Sequence, residues 1–241
     1  MRAEVGLIGG TGVGSLLASE PGKAMHVPTP YGVARGRLVE IEGRSVFLLS
    51  RHSAGHSVPP HLVNYRAIAA ALRQLGAKFC FASAAVGSLS LNLPVGSIVV
   101  CSDFLDLTFR NLTLHDRKVI HTPFAAPFGG ASRAALLEGA LLAGIVVRDG
   151  GVYLGLNGPR FETPHEIQML AKLGDVVGMT ASSEAVIMKE SGIQYGLLAI
   201  VTNLGEGLGG QVDHGMVGDA MLELGPKVVA IFKQAVGVLP K

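Results

Sequence analysis

The feature that most limits the fold of this chain is a set of short segments in which apolar residues are continuous. A strand with one face in water alternates between apolar and polar residues, whereas a strand covered on both faces does not. These segments therefore predict a mostly parallel sheet buried between layers of helices. They cover residues 5–8, 79–86, 98–101, 152–156, 176–179 and 195–202.

Helical periodicity lies between these strand patterns. Residues 63–75 place apolar side chains at helical spacing, and Gly76 stands where a left-handed C-terminal cap is expected. Residues 39–50 carry two strand patterns around Glu42-Gly43, which predicts a hairpin turn. The other helical patterns cover 164–173, 183–191 and 213–236, and Pro226 is expected to kink or interrupt the last one.

The order of these patterns indicates how the chain is organised. Strands and helices alternate without an internal repeat, a linker or a low-complexity tract. The 241 residues fit one large domain, so we expect a single domain over residues 1–241. Its fold class is α/β, with a mixed, mostly parallel twisted sheet flanked by helices.

The composition argues against several classes of protein. A net charge of +2 with scattered basic residues does not suit an extended nucleic-acid surface. No apolar stretch reaches the roughly 18 residues that a membrane span requires, and the first residues lack a signal-peptide pattern. Cys80 and Cys101 lie in strand patterns and are expected to be buried, reduced thiols. We expect a cytoplasmic protein that binds neither nucleic acid nor membrane.

Polar residues collect directly after the strand patterns. In a parallel sheet the turns that follow the strands are where ligands bind. We therefore expect the chemistry of the chain at these turns. They follow Ile8, Ser50, Val86, Leu156, Met179 and Thr202.

The first of these turns is rich in glycine. From Gly10 it nearly fits the dinucleotide fingerprint G-x-G-x-x-G, but Ser15 takes the place of the third glycine. Thr11 could instead offer its hydroxyl and nearby backbone N–H groups to a single phosphate. A plain tight turn explains the residues equally well, so all three interpretations stay open.

Arginine and histidine follow the next strand pattern. The spacing of His52, His56 and His61 raises the question of a metal site. Two prolines between them break any helix that would align them, no carboxylate or cysteine is adjacent, and Arg51 would repel a cation. Arginine and histidine suit an oxyanion better, through charge-assisted hydrogen bonds. Ordinary surface or core histidines are the alternative.

The later strand ends are ambiguous when each is taken singly. Glu162 precedes a helical pattern, where a carboxylate is favourable whether or not it binds a ligand. Phe161 suits the core or a stacking platform for a flat ring. Thr180 and Asn203 end strand patterns with groups that also serve as helix caps or turn formers.

Together the motifs resemble those of the trimeric purine nucleoside phosphorylase and methylthioadenosine phosphorylase family, over nearly the whole chain. Six motifs in order are far more specific than any one of them. They are Ile8-Gly9-Gly10-Thr11-Gly12, Arg51-His52 with residues 60–67, Val86-Gly87-Ser88-Leu89, Gly158-Pro159-Arg160-Phe161-Glu162-Thr163, Gly178-Met179-Thr180 and Val201-Thr202-Asn203. The resemblance implies a nucleoside phosphorylase-like fold. It also implies an enzyme of purine salvage that uses inorganic phosphate as co-substrate and no cofactor or metal.

The resemblance also implies a phosphate site. Relatives often carry Ser, Thr or Asn where this chain has Ala84, so one contact of the family differs here. Ser83 is one residue too early, and strand alternation directs its side chain to the other face. The implied phosphate contacts are Thr11, Arg51, His52 and Thr180, with the backbone of Ala84 and Ala85.

At the base, family members acting on 6-aminopurines have serine after the Arg-Phe pair and aspartates after the later strand. This chain has Glu162 and Asn203, with Gly205 where the second aspartate would fall. A glutamate accepts from N1–H, and an asparagine accepts from N7–H and donates to O6. We therefore expect hypoxanthine or guanine beside Phe161, with Asn203 and Glu162 as the catalytic residues. Adenine would leave a pocket group unpaired.

Three further implications concern the sugar and the subunits. Met179 is expected under the ribose, and His214 either contacts the 5′-hydroxyl or is a first-turn helix residue. His121 matches a residue that reaches into the neighbouring subunit's site, which implies a homotrimer or a dimer of trimers.

The alternative functions are a phosphorylase of 5′-methylthio-purine nucleosides (methylthioinosine or methylthioadenosine), a nucleotide-sugar or NAD-binding protein, and a relative that only binds purines.

Overall fold

The structure, a computed structural model, describes residues 1–53, 55, 57–210 and 214–240, without the side chain of His214. The strands are β1 (Val5–Gly9), β2 (Lys23–Thr29), β3 (Gly32–Ile41), β4 (Arg44–Ser50), β5 (Phe79–Ser88), β6 (Ile98–Val100), β7 (Asp103–Asp106), β8 (Arg148–Asp149), β9 (Val152–Gly155), β10 (Val176–Gly178) and β11 (Gln194–Leu204). The helices are α1 (Val13–Ala18), α2 (Tyr65–Leu75), α3 (Gly130–Leu142), α4 (Pro164–Leu170), α5 (Ala181–Glu190) and α6 (His214–Val238).

These strands form one mixed sheet with β5 at its centre. The order β2-β3-β4-β1-β5-β10-β9-β7 runs along one path, and β11 pairs with the other edge of β5 and carries β6 and β8. The pairs β1–β4, β1–β5 and β5–β11 are parallel, whereas β10 runs antiparallel to β5. The expected α/β class with a mixed, mostly parallel sheet flanked by helices is therefore confirmed.

Strand alternation divides the core between the two faces of the sheet. Residues such as Leu7 and Phe81 pack against α1, α3 and α6, while their neighbours Ile8 and Cys80 pack toward α2 and α5. Because both faces are covered at the centre of the sheet, β1, β5, β10 and β11 lack polar alternation, as their sequences predicted. Among the described residues, no helix is both long enough and apolar enough to cross a bilayer.

Local signals behave largely as their chemistry predicts. Glu42 and Gly43 both have positive φ at the β3–β4 hairpin turn. Helix α2 begins at Asn64, whose side chain accepts from Ala67 N at 3.0 Å, and it ends at Gly76 with φ of 89°.

Of the two outcomes expected at Pro226, a kink or an interruption, the interruption does not occur, because α6 runs from His214 to Val238. The carbonyl that loses its donor at Pro226 belongs to Leu222, one turn earlier, where the chain is exposed and water can replace the missing bond.

Three kinds of element escape the sequence patterns. Strand β2 lies at the sheet edge and is largely exposed, so its composition is mixed. Helix α3 is apolar around most of its circumference and starts at Gly129 without a side-chain cap, so it lacks both periodicity and a start signal. Short elements β7, β8 and α1 also carry too few residues for a pattern.

The packing of α6 on β5 is testable at one aromatic pair. Phe232 and Phe81 are fully buried, with stacked rings whose centroids are 6.2 Å apart. We expect Phe232→Ala to lower the free energy of unfolding by about 3–5 kcal/mol, since it leaves a cavity. Leu222→Ala on the same helix, where the side chain is 78% exposed, should change it by less than about 0.5 kcal/mol. Urea titration measures both, and equal midpoints for the two variants would contradict this packing.

Candidate active site

One cavity of about 420 Å³ collects most of the expected site residues. All six strand ends that carry polar residues contribute to its lining, as their positions in the sequence predicted. His121 is exposed and does not line it, and the side chain of His214 lies outside the described part of the chain. The expected site residues that line it are Thr11, Arg51, His52, Ala84, Ala85, Phe161, Glu162, Met179, Thr180 and Asn203.

The cavity lies where the edge of β5 is left open. Strand β1 pairs with β5 only as far as Ala82, and β10 pairs with it from Gly87 onward. Between these points residues 83–86 have no strand partner on that edge, and Ala84, Ala85 and Val86 line the cavity. Because β10 runs antiparallel to β5, its C-terminal end points back to the same gap. The ends of strands from both directions therefore meet here, not only those of parallel strands.

A β-bulge in β11 shapes one wall of the cavity. The β5–β11 register shifts between Val201 and Asn203, which leaves Thr202 as the extra residue. Two consecutive side chains, Thr202 and Asn203, therefore both line the cavity. The Thr202 hydroxyl lies 3.1 Å from Asn203 Oδ1, and Asn203 Nδ2 donates to Leu204 O at 3.0 Å. These two contacts fix the orientation of the amide.

At the opposite end of the cavity from Asn203, hydrogen bonds join the glycine turn after β1 to β5. Gly10 N donates to Ser83 Oγ at 3.1 Å, and Arg51 Nη1 donates to Ser83 O at 2.9 Å. A Cβ on Gly10 would lie 2.6 Å from Ser83 O and 2.7 Å from Arg51 Nη1, so glycine is required there. The Ser83 side chain does not line the cavity, as strand alternation predicted.

Arg51 is held by a buried carboxylate. Its Nε and Nη2 donate to the two oxygens of Glu184 at 2.5 and 2.8 Å, and Tyr195 donates its hydroxyl to Glu184 Oε2 at 2.6 Å. Burial works to lower the pKa of Arg51, but the charge and hydrogen bonds of Glu184 outweigh it, so the pKa is raised and the guanidinium stays charged. Burial, with the Glu184 charge, raises the pKa of Tyr195, which stays protonated.

Two further polar side chains are fixed beside Arg51. His52 Nδ1 lies 2.7 Å from Val58 O, a carbonyl that can only accept, so this nitrogen carries the proton. The hydroxyl of Tyr153 accepts from the backbone N–H groups of Thr180 and Ala181 at 3.1 and 3.2 Å. This contact anchors the first turn of α5 and thereby the position of Thr180.

At the other end, Phe161 and Glu162 come from the loop between β9 and α4. Glu162 does not cap that helix: Thr163 is the N-cap, and Glu166 completes a capping box with it. Burial raises the pKa of the Glu162 carboxyl, and the neighbouring carboxylates of Glu166 and Glu206 add to this. Glu162 is therefore available to a ligand rather than to the helix.

Arg110 braces this loop from outside the cavity. Its Nε and Nη2 donate to Asn157 Oδ1 and O at 3.0 and 2.8 Å, and its Nη1 donates to Tyr65 and Ser183. Gly158, next to Asn157, has φ of +63° and leaves no room for a Cβ beside the Met179 sulfur. The loop and the strand β10 are thus packed against each other.

The two ends of the cavity differ in chemistry. Arg51, Thr11 and Thr180 offer donors that suit an oxyanion, and His52, whose Nδ1–H is directed at Val58 O, adds a second N–H when it is an imidazolium. Asn203, Glu162 and Phe161 offer an amide, a carboxylate and an aromatic face, which suit a flat heterocycle with polar edges. Among the described residues, no group of three His, Cys, Asp or Glu side chains is arranged to hold a metal ion.

The family model of the Phosphorylase superfamily matches residues 4–237. The chain belongs to this superfamily. It is 39% identical to a probable S-methyl-5′-thioinosine phosphorylase of Methanopyrus kandleri, over 98% of this chain and 93% of that protein. It is 36% identical to a 6-oxopurine nucleoside phosphorylase of Pyrococcus furiosus, over 98% and 93%. A solved methylthioadenosine phosphorylase from Schistosoma mansoni, in complex with adenine, has a TM-score of 0.92 at 29% identity, covering 98% and 91% of the two chains.

Sequence reasoning missed several residues that shape the site of this phosphorylase. Glu184 and Tyr153 act from behind the cavity wall, and Arg110 comes from a loop without periodic pattern. Val217, on the first turns of α6, lines the cavity as an apolar side chain. Glu184 alone left a signal: it lies on the apolar stripe of α5, three residues after Ala181 and four before Met188.

Proposed function

We propose that this phosphorylase splits the N-glycosidic bond of 6-oxopurine nucleosides, inosine and guanosine, with inorganic phosphate. The products are the free base and ribose 1-phosphate, and no cofactor or metal is required. One cavity joins an oxyanion-binding end to an end with the Asn203 amide and the Glu162 carboxylate, and this arrangement carries the proposal. Relatives such as that of Pyrococcus furiosus bear the name 6-oxopurine nucleoside phosphorylase.

The choice of base follows from the groups at that end. Asn203 Oδ1 and Nδ2 each have one protein partner, so each keeps capacity for a base, accepting from N7–H and donating to O6. Glu162 accepts from N1–H, a proton that adenine lacks. A Cβ on Gly205 would lie 2.8 Å from Ile167 Cδ1, so the aspartate of the 6-aminopurine pattern does not fit here without movement of Ile167.

The reaction proceeds by positioning and electrostatics. As the C1′–N9 bond breaks, positive charge develops on the ribose and negative charge on the purine. Asn203 and Glu162 stabilise the purine, and Asn203 favours protonation at N7. Arg51, His52, Thr11 and Thr180 hold phosphate beneath the ribose, where its charge stabilises the cation before it attacks C1′. Met179 packs under the sugar, and the backbone of Ala84 and Ala85 completes the phosphate site.

We propose further that the enzyme is a homotrimer, or a dimer of trimers, that acts in purine salvage in the cytoplasm. His121 is exposed and does not line the cavity of its own chain. In a trimer it would instead reach the cavity of a neighbouring subunit. Exposed apolar side chains flank His121, Val119 at 87% and Ile120 at 50%, which supports burial of this stretch against another subunit.

Val217 favours a second candidate for the sugar. Its apolar side chain lines the cavity near the start of α6, where it would pack against a 5′-methylthio group better than against a 5′-hydroxyl. The Methanopyrus kandleri relative is named as a probable S-methyl-5′-thioinosine phosphorylase. The second candidate is therefore phosphorolysis of a 5′-methylthio-purine nucleoside.

Release of free base from inosine, guanosine and adenosine, with and without phosphate, tests the main proposal. We expect phosphate-dependent release with inosine and guanosine, and kcat/KM at least ~100-fold lower with adenosine, since a buried group is left unpaired. Asn203→Ala should lower kcat with inosine by ~100-fold or more while the melting temperature changes little. Asn92→Ala, at an exposed position, is the matched control. Wild-type turnover in Asn203→Ala would refute the assignment.

The sugar is tested by comparing inosine with 5′-methylthioinosine, because the two share one base. If Val217 contacts the 5′ substituent, the methylthio compound should have a kcat/KM about 10- to 200-fold higher than inosine. Val217→Ser should reduce that preference and leave the comparison of inosine with adenosine unchanged. Equal kcat/KM for the two nucleosides would remove the second candidate.

The raised pKa of the Glu162 carboxyl predicts where kcat/KM falls on the acid side of the pH profile, which is called the acid limb below. Its pKa is raised by burial, so the limb should lie above the ordinary glutamate value of about 4.3. Below that pKa the carboxyl is protonated and N1–H loses its charged acceptor, so kcat/KM for inosine falls. Glu162→Gln should lose this limb. Glu166→Gln should keep it, because hydrogen bonds from Arg160 and Thr163 lower the pKa of Glu166 to about 2. A limb unchanged in Glu162→Gln would contradict this role.

A further inference from the structure

A buried ion pair between Arg51 and Glu184 lies behind the phosphate end of the cavity, the end formed by Thr11, Arg51, His52 and Thr180. The side chains of Arg51 and Glu184 are each only 1% exposed, and both guanidinium–carboxylate bonds are short. Arg51 lines the cavity, but Glu184 does not. Glu184 can therefore position a ligand only indirectly, and Arg51 is its hydrogen-bonded link to the cavity.

The hydrogen bonds of Arg51 show what is left for a ligand. A guanidinium has five N–H groups. Two donate to Glu184 and one to Ser83 O, which leaves two for the cavity. Glu184 in turn accepts a third hydrogen bond, from the Tyr195 hydroxyl. The orientation of the two remaining N–H groups is thus fixed from behind before any ligand binds.

The pair also sets the charge of the empty site. Among the described residues that line the cavity, the charged groups are Arg51 at one end and Glu162 at the other, with His52 as a titratable neighbour. Glu184 neutralises Arg51 where both side chains are buried, so that an uncompensated charge would be strongly unfavourable. Without Glu184, an anion in the cavity would become the main counter-ion of Arg51.

We propose that Glu184 is a positioning residue for phosphate, which acts through Arg51 in two ways. It fixes the guanidinium in the geometry that turnover needs, and it keeps the empty phosphate site neutral, so that phosphate binds reversibly rather than as an obligatory counter-ion. This proposal rests on the phosphate site of the proposed function. It assigns to Glu184 a role in the affinity for phosphate, not in the affinity for the nucleoside.

Glu184→Gln tests the charge, since it keeps the shape of the side chain. We expect a lower melting temperature without phosphate and a larger phosphate-induced rise in melting temperature than in wild type, because binding now supplies the missing counter-ion. We expect kcat with inosine to fall about 10- to 100-fold, because Arg51 is no longer held in place. KM for inosine should stay within about twofold of wild type. A phosphate-induced rise equal to or smaller than that of wild type overturns the proposal.

Glu190→Gln is the matched control on the same helix. The Glu190 carboxylate accepts from Thr113 Oγ1 and Leu114 N, has no arginine partner among the described residues, and does not line the cavity. The same substitution there should lower the melting temperature without enlarging the phosphate-induced rise. If Glu190→Gln enlarges that rise as much as Glu184→Gln does, the effect belongs to general destabilisation and the proposal fails.

Glu184→Asp separates position from charge, and it decides the question if Glu184→Gln does not fold. It keeps the negative charge but shortens the side chain by one methylene. We expect a wild-type phosphate-induced rise with a kcat at least ~10-fold lower, and wild-type kcat in this variant overturns the positioning role. The melting measurements use inorganic phosphate alone. They therefore remain decisive for Glu184 even if the wild-type enzyme releases no base from any nucleoside, an outcome that would refute the proposed function instead.

Discussion

The site depends on one property of the sheet: β5 is longer than the strands that share its edge. Strand β1 covers its first residues and β10 its last two, so residues 83–86 face an opening. The reversal of direction at β10 brings Thr180 to this opening from one side, while β1 and β4 bring Thr11 and Arg51 from the other. A fully parallel sheet would place these side chains along one edge in a row. The unpaired stretch of the β5 edge instead brings them together around a cavity.

The two ends of this cavity are held by different forces. At the phosphate end a buried charge pair fixes Arg51, and Tyr153 anchors the backbone beside Thr180. Such groups are rigid because a buried polar atom without its partner is strongly unfavourable. At the base end the amide of Asn203 is oriented by Thr202, but Glu162 sits on a half-buried loop that Arg110 braces. The proposed phosphate end is thus the more deeply buried one.

Much of this arrangement is predictable from the sequence, and the remainder has physical reasons for escaping it. Continuous apolar segments located the central strands, and polar residues at their ends located the cavity, because burial and strand ends leave direct traces in composition. The direction of β10 leaves no such trace, and neither does the bulge at Thr202 that turns two neighbouring side chains into the cavity. Arg110 acts through contacts with Asn157 and Tyr65, far from it in the chain, which no local pattern encodes.

Substrate choice is divided among elements that can change separately. In the proposed function, Asn203 and the packing of Gly205 against Ile167 of α4 select the 6-position of the base. In the second candidate, Val217 of α6 selects the 5′ substituent of the sugar. Relatives of nearly equal similarity, at 39% and 38% identity, bear names that differ in the 5′ substituent but share the 6-oxopurine. That pattern is expected if related proteins keep the same residues at the phosphate end and in β11 but differ in the first turns of α6.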